Sequence, residues 1–292
     1  MAPNFLTGEE LDRAGLLALL DRAEELKRGR GDGAGGDALA GRSVGLLFER
    51  PSTRTRISFE VGVFELGGHP VVLRGEELQL TRGESAGDTA RAMSRFLSAI
   101  VIRSGSDEGV AALAEASDVP VVNGLTPSHH PCQALADMLT LRERFGELEG
   151  LRLAYVGDGN NCARSLAILG RTAGVEVVVA APEGYRLEEG LCEQTDDAAG
   201  AAEAADALYT DVWVSMGDET EGDRRRADLA PFQLNEDLLA AASDRAIVMH
   251  CLPAHPGEEI TEGALYGERS IVWDQAENRL HAQKALLESL VS

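Results

Sequence analysis

A chain of 292 residues, 44% apolar and 26% charged, can bury the cores of about two domains of ordinary size, which excludes an intrinsically disordered chain. Its 49 acidic against 27 basic residues leave a formal charge of −22, a field that repels nucleic acid and anionic membranes and excludes both as expected partners. Only Lys27 and Lys284 are lysines, and a surface so rich in acid and poor in lysine predicts a cytosol of high salt, where screening makes self-repulsion tolerable.

The chain begins MAPNFLTGEELDRAG, without the basic start and apolar core of a secretory signal, and no apolar run reaches the roughly 20 residues that span a bilayer. A cytoplasmic protein is expected. Cys132, Cys162, Cys192 and Cys251 lie far apart with no CxxC pair, so free thiols are expected rather than a disulfide framework or a structural zinc site.

Thr7 and Glu10 are spaced as a capping box, and Leu16, Leu19, Leu20, Ala23 and Leu26 follow with helical spacing until a glycine-rich loop at 29–36. Strand-like runs come next at 43–48, 70–74, 99–104 and 120–125, with helical patterns between them. A linking helix is predicted over 133–147. The alternation then restarts with strands at 152–158, 175–182, 207–213 and 245–253, and SIVW at 270–273 as a fifth. The fold class predicted is α/β: two domains, each a parallel sheet flanked by helices, joined by interdomain helices. The first domain covers 1–132, with a helix at 275–292 packing back on it, and the second covers 148–274.

Five stretches carry chemistry. FERPSTRTRISFE (48–60) crowds Arg50, Arg54 and Arg56 into seven positions at a strand-to-helix turn. Ser52 is a candidate N-cap, free helix-start N–H groups attract anions, and Arg54 offers a forked cation suited to phosphate. Ile57, Val61 and Phe64 form one apolar face and Phe59, Val63 and Leu66 another, which predicts a helix sandwiched on both sides. The plainer alternative is a capped helix whose arginines pair with Glu49 and Glu60. SHHPCQ (128–133) offers His129, His130 and Gln133, either to polarise a carbonyl or simply as a polar turn.

MHCLPAH (249–255) ends a strand, where Cys251 is a nucleophile, a proton carrier or a small buried residue. The six residues His129, His130, Cys132, His250, Cys251 and His255 match no metal-ligand spacing, so no metal is expected. YVGDGNN (155–161) begins like a dinucleotide fingerprint, but Cys162 stands where the third glycine belongs. A tight turn offering Asn160 or Asn161 to a ligand accounts for it equally well. TDVWVSMG (210–217) puts Asp211 at a strand end, positioned either to bind an amine or to cap the next turn.

Taken together and in this order, these stretches resemble the transcarbamylase superfamily, and the likeness extends over nearly the whole chain. STRTR and HPCQ are similar to its two carbamoyl-phosphate motifs. DVWVSMG and HCLP are similar to the substrate loop and closing motif of its ornithine branch, whereas the first pair alone would leave the aspartate branch open. The resemblance implies that domain 1–132 binds carbamoyl phosphate through Ser52, Thr53, Arg54, Thr55, Arg103 and His130, together with Gln133 of the linking helix and, from AENR in the 275–292 helix, Arg279. It implies that domain 148–274 binds L-ornithine through Asn161, Asp211, Ser215, Met216, Cys251 and Leu252. Catalytic roles fall on Arg103, His130 and Cys251, with no cofactor required. A homotrimer or an assembly of trimers is implied as well, and LTRGESAGDTAR (80–91) resembles a loop that in some members closes a neighbouring subunit's site.

The implied chemistry is coherent. As an amine attacks the carbamoyl carbon, Thr55, Arg103 and His130 would stabilise the oxyanion, and Cys251, aided by Asp211 or the phosphate, would accept the amine proton. Holding two substrates in line can contribute on the order of 7–11 kcal/mol. The chain departs from the pattern at Pro256, where many relatives carry arginine, at Arg164, often histidine, and in a short 185–209 segment. The rivals are a carbamoyltransferase for putrescine, acylated ornithine or aspartate, and a nicotinamide-dependent dehydrogenase built on the partial glycine fingerprint.

Overall fold

The computed structural model describes residues 3–31, 36–77, 83–214 and 219–291. The chain divides into two compact units, Met1–Leu139 with Glu277–Ser292, and Thr140–Ala276.

The first unit opens with α1 (Arg13–Arg28), which buries the predicted leucine stripe. Its cap is Asp12, whose carboxylate accepts the Gly15 N–H at 2.7 Å, and not Thr7 as the capping-box spacing predicts. Glu10 instead folds back to gather the N–H groups of Leu6, Thr7 and Gly8, so the box closes a turn ahead of the helix. Then follow β1 (Ser43–Phe48), α2 (Arg54–Glu65), β2 (His69–Arg74), α3 (Ala86–Met93), β3 (Ala99–Arg103), α4 (Asp107–Ala116) and β4 (Val121–Leu125). The strands form one parallel sheet in the order β2-β1-β3-β4. Near-continuous apolar strands such as Ala99–Ile102 are buried because helices cover a parallel sheet on both faces.

Helix α2 departs from expectation. Phe59, Val63 and Leu66 are fully buried, but Ile57 is 55% and Phe64 74% exposed, so the helix packs on one side only. Two apolar faces on one helix do not say which of them this chain itself covers.

Helix α5 (Pro131–Phe145) contains the first division between the units, after Leu139. The second unit continues with β5 (Arg152–Val156), α6 (Asn161–Ala173), β6 (Glu176–Ala180), β7 (Glu193–Thr195), α7 (Ala198–Ala202), β8 (Ala207–Thr210), α8 (Gly222–Leu229), α9 (Glu236–Ala241), β9 (Ile247–His250) and α10 (Glu262–Tyr266). The sheet is again parallel, ordered β7-β6-β5-β8-β9, over a core of Ala154, Val156, Val178, Leu208 and Val248.

Its fifth strand is β7, not SIVW. Ser270 makes a single bridge to Val248, and Val272 already begins α11 (Val272–Val291), with the Gln275 N–H bonded to the Ile271 carbonyl. A four-residue apolar run has no period that separates strand from helix.

Candidate active site

In both units some of the predicted site residues, Ser52 to Arg54 with Arg103 and Asn161 with Asp211, lie at the C-terminal ends of the two strands between which the sheet order reverses direction. That is where open α/β sheets leave a crevice. In the first sheet the reversal lies between β1 and β3: Phe48 pairs with Arg103, and the Glu49 N–H donates to the Arg103 carbonyl at 3.0 Å. The turn Pro51-Ser52-Thr53 therefore emerges beside the Arg103 side chain.

Thr53, rather than Ser52, flanks α2, with helical backbone angles and no capping bond from its side chain. Ser52 accepts from Arg103 Nη1 at 3.4 Å instead. Arg54 opens the helix on its exposed side, while Arg56 pairs with Glu60 at 2.9 Å, one turn on. Glu49 accepts from the Ser104 hydroxyl at 2.5 Å and the Gly105 N–H at 3.3 Å. An open hollow of about 1300 Å³ adjoins the turn, with Ser52, Thr53, Arg56 and Arg74 in its wall.

Behind the turn stands Arg279, from α11, only 3% exposed. Its Nη2 donates to Thr55 Oγ1 at 2.7 Å and its Nη1 to Gln133 Oε1 at 3.1 Å. Gln133 is held from its other end, Nε2 donating to Asp137 Oδ1 at 2.8 Å. Among the described residues Arg279 has no carboxylate partner. A buried guanidinium bonded only to neutral oxygens is a costly arrangement that an incoming anion relieves. His130, also buried, has its pKa held well below the usual 6.5 by burial first and then by Arg279, Arg103 and Arg54. The imidazole is neutral and adds no charge to the three arginines. His129 serves the turn before α5, its carbonyl accepting the Thr126 N–H.

In the second sheet the reversal lies between β5 and β8. Asn160 caps α6, its Oδ1 accepting the N–H groups of Cys162 at 2.9 Å and Ala163 at 3.2 Å and the Tyr155 hydroxyl at 3.1 Å. Its Nδ2 donates to Asp211 Oδ2 at 2.9 Å. Asp211 follows β8 and is buried, which raises its pKa from 3.8 against the opposing pull of His250, the Val212 N–H, Asn160 and Cys162. Asn161 is half-buried on the first turn of α6.

Thr210 pairs with His250 in the sheet, which sets Asp211 and Cys251 side by side past the strand ends. Cys251 Sγ lies 3.3 Å from Cys162 Sγ. Leu252, with φ of 57°, joins Pro253 through a cis peptide. Ser215 and Met216 lie outside the described residues.

The glycine turn has a structural cause. The Gly159 N–H bonds to the Tyr185 carbonyl at 2.7 Å, and a Cβ there would meet the backbone of residues 185–187. Glycine is required by this close approach, and the third-glycine position holds Cys162, buried against Cys251. Of the positions that depart from the family pattern, Arg164 is tied to Glu188 and Pro256 to a bridge with Ile260. Asn160 as the partner of Asp211, and the buried His250–Glu259 pair behind Cys251, escaped the sequence reading. The N-cap preference for asparagine signalled the first, whereas nothing in the spacing signalled Glu259.

Two family models match. "Aspartate/ornithine carbamoyltransferase, carbamoyl-P binding domain" covers residues 3–143, and "Aspartate/ornithine carbamoyltransferase, Asp/Orn binding domain" covers residues 149–290. An ornithine carbamoyltransferase of Acidothermus cellulolyticus is 52% identical over 305 residues, spanning 100% of this chain and 97% of that protein. One from Methanoculleus marisnigri is 47% identical, spanning 100% of this chain and 98% of that protein. The crystal structure of ornithine carbamoyltransferase from Thermus thermophilus superposes with a TM-score of 0.93 at 44% identity, covering 100% of both chains.

Proposed function

The chain belongs to the aspartate/ornithine carbamoyltransferase family, and we propose that it transfers the carbamoyl group of carbamoyl phosphate to the δ-amine of L-ornithine, giving L-citrulline and phosphate. The observation that carries most weight is Arg279, a buried guanidinium without a carboxylate partner among the described residues, bonded to Thr55 and Gln133. It fits a site for a small anion.

Ser52, Thr53, Arg54 and Thr55 hold the phosphate at the start of α2, where uncapped N–H groups face the ligand. Arg103 bridges phosphate and carbamoyl oxygen, while Gln133 and Arg279 orient the carbamoyl group. His130, neutral, donates to the carbamoyl oxygen as negative charge develops there, a role that a second positive charge would not improve. Residues of the first unit thus bind carbamoyl phosphate.

Those of the second unit bind ornithine. Asp211 takes the α-amine; the carboxylate is already desolvated and held by Asn160, so little is lost on binding. Asn161, Ser215, Met216 and Leu252 complete that site. The δ-amine attacks the carbamoyl carbon as a free base, and Cys251, with Asp211 or the phosphate, accepts its proton.

Asp211 favours ornithine over putrescine, which has no α-amine and carboxylate to recognise. The backbone approach at Gly159 removes the main support for a dehydrogenase. A homotrimer accords with the exposed apolar side chains of Ile57, Phe64 and Phe96, and a cytoplasm of high salt with the charge of −22. The test is citrulline formation with carbamoyl phosphate across a series of salt concentrations, offering ornithine, N-acylated ornithine, putrescine and aspartate in turn. Ornithine failing as the best acceptor overturns the assignment, and a rate indifferent to salt overturns the high-salt setting.

A further inference from the structure

Cys162 has no part in the chemistry above, yet its sulfur lies 3.3 Å from that of Cys251. That is inside the ordinary contact distance of two sulfurs, with one S–H aimed at the other atom. A disulfide needs about 2.05 Å, so the sulfurs must approach by about 1.2 Å. The two cysteines are 89 positions apart in sequence and come together because α6 starts just past β5 while Cys251 immediately follows β9, with β8 between those strands. Asp211 stands against the pair, a carboxylate oxygen and the two sulfurs all lying within 4.8 Å of one another.

Access differs between the two. Cys251 is half-buried, whereas Cys162 is buried. Of the other two thiols, Cys132 is buried and Cys192 half-buried. Cys132 donates to the Asn123 carbonyl at 3.4 Å and has its pKa pushed up to about 12 by burial. Burial likewise pushes Cys192 up to about 11, and the contact with Cys251, then burial, raise Cys162 well above the ordinary thiol range, so Cys162 acts second, on an already oxidised Cys251.

We propose that Cys162 and Cys251 form a reversible oxidation site that takes a small hydroperoxide and closes to a disulfide, disabling the ornithine half of the active site. Cys251, as thiolate, attacks the outer oxygen of hydrogen peroxide; the O–O bond breaks, and the departing hydroxide takes up the thiol proton as water. Cys251 is now a sulfenic acid. The Cys162 sulfur passes its proton to Asp211 and attacks the sulfenic sulfur, whose hydroxyl leaves and recovers that proton as a second water. Two thiols and one peroxide thus give one disulfide and two waters, and a dithiol reductant reverses the change. Ornithine seated on Asp211 and Cys251 blocks the first step. The loss of activity rests on the proposed role of Cys251; the cross-link itself does not.

The test uses the reduced full-length protein exposed to hydrogen peroxide, alkylated and digested without reduction. The expected result is one cross-linked peptide pair joining Cys162 to Cys251, two hydrogens lighter than its parts. Citrulline formation falls in proportion to the cross-linked fraction and returns with dithiothreitol. Ornithine slows the cross-link, and carbamoyl-phosphate binding persists in the oxidised protein. In Cys162→Ala and Cys162→Val, peroxide damage is no longer reversed by dithiothreitol, because a lone sulfenic acid proceeds to sulfinic acid.

Inactivation without the cross-link, or a cross-link through Cys132 or Cys192, overturns the proposal. A cross-link in a protein that makes no citrulline even when reduced sinks the functional assignment and leaves the oxidation site standing.

Discussion

The Nε2 of His250 lies 3.2 Å from Glu259 Oε1, and both side chains are fully buried. The Leu252 N–H donates to His250 Nδ1 at 2.8 Å, so that nitrogen carries no proton and the ring donates from Nε2 to the carboxylate. The same Glu259 oxygen accepts the His255 N–H at 2.5 Å. One buried pair therefore holds both ends of the loop that carries Cys251, and it holds Leu252 in the left-handed region, unfavourable for a residue with a side chain.

Glu259→Ala is expected to leave one buried donor, His250 Nε2–H, without an acceptor, costing roughly 1–3 kcal/mol, and to free the partly buried His255 N–H. Urea unfolding gives the stability, and steady-state kinetics is expected to show the ornithine KM rising more than that of carbamoyl phosphate. Glu259→Gln keeps an acceptor oxygen and is expected to recover most of both. Unchanged stability and KM in Glu259→Ala would remove any positioning role.

Arg279→Met removes the donor to Thr55 and Gln133 while filling much of the same volume. Hydrogen bonds to charged groups contribute about 1.5–3 kcal/mol, so carbamoyl-phosphate affinity is expected to fall roughly tenfold to a hundredfold per lost contact. Arg54→Ala is expected to act on the same quantity through its forked phosphate contact. Titration calorimetry with carbamoyl phosphate measures both, and wild-type affinity in either variant contradicts the cradle.

His130 carries a pH signature. Its pKa lies well below 6.5 in the folded protein, so the unfolded chain binds a proton first as the pH falls. The stability it contributes is fully present above about pH 6.5 and is lost as the pH drops through the window down to the folded value, at up to ~1.4 kcal/mol per pH unit. Burial shifts His281 in the same direction. His130→Gln is therefore expected to shallow the acid-side loss of stability without abolishing it, as read from urea unfolding at a series of pH values. An unaltered slope contradicts a buried neutral His130.

Asp211 has the opposite sign. Its raised pKa means that the charged form is disfavoured on folding, so the stability linked to this group is complete below its ordinary 3.8 and declines as the pH rises. Asp211→Asn is expected to be more stable than the parent at neutral pH. Its kcat/KM for ornithine is expected to fall roughly tenfold to a hundredfold, the loss of one charge-assisted contact. Cys251→Ser is expected to reduce kcat more than carbamoyl-phosphate affinity. Thermal unfolding and kinetics with each substrate varied separate these outcomes.

Much of this was legible before any coordinates. The strands of the first sheet start within a residue of their predicted positions, because runs such as SVGLLF and AIVIR are apolar enough to be buried on both faces and are bounded by polar turns. The motifs STRTR, HPCQ and HCLP pointed to the family because its chemistry demands particular side chains in a set order. Where two structures share one local pattern, the sequence was silent. SIVW is equally apolar as a strand or as a helix start, and the second face of α2 is equally periodic whether or not this chain covers it.

The amino-acid order alone thus settled the fold class and the family, since periodicity and motif chemistry are local properties of the chain. Tertiary structure decided which distant residues meet. Arg279 reaches Thr55 across 224 positions, Asn160 reaches Asp211 across 51, and Cys162 meets Cys251 across 89. The last two follow from strand order, which brings the ends of non-consecutive strands together, and the first from α11 packing against α2 at Gly62; no local pattern in the sequence encodes either neighbourhood.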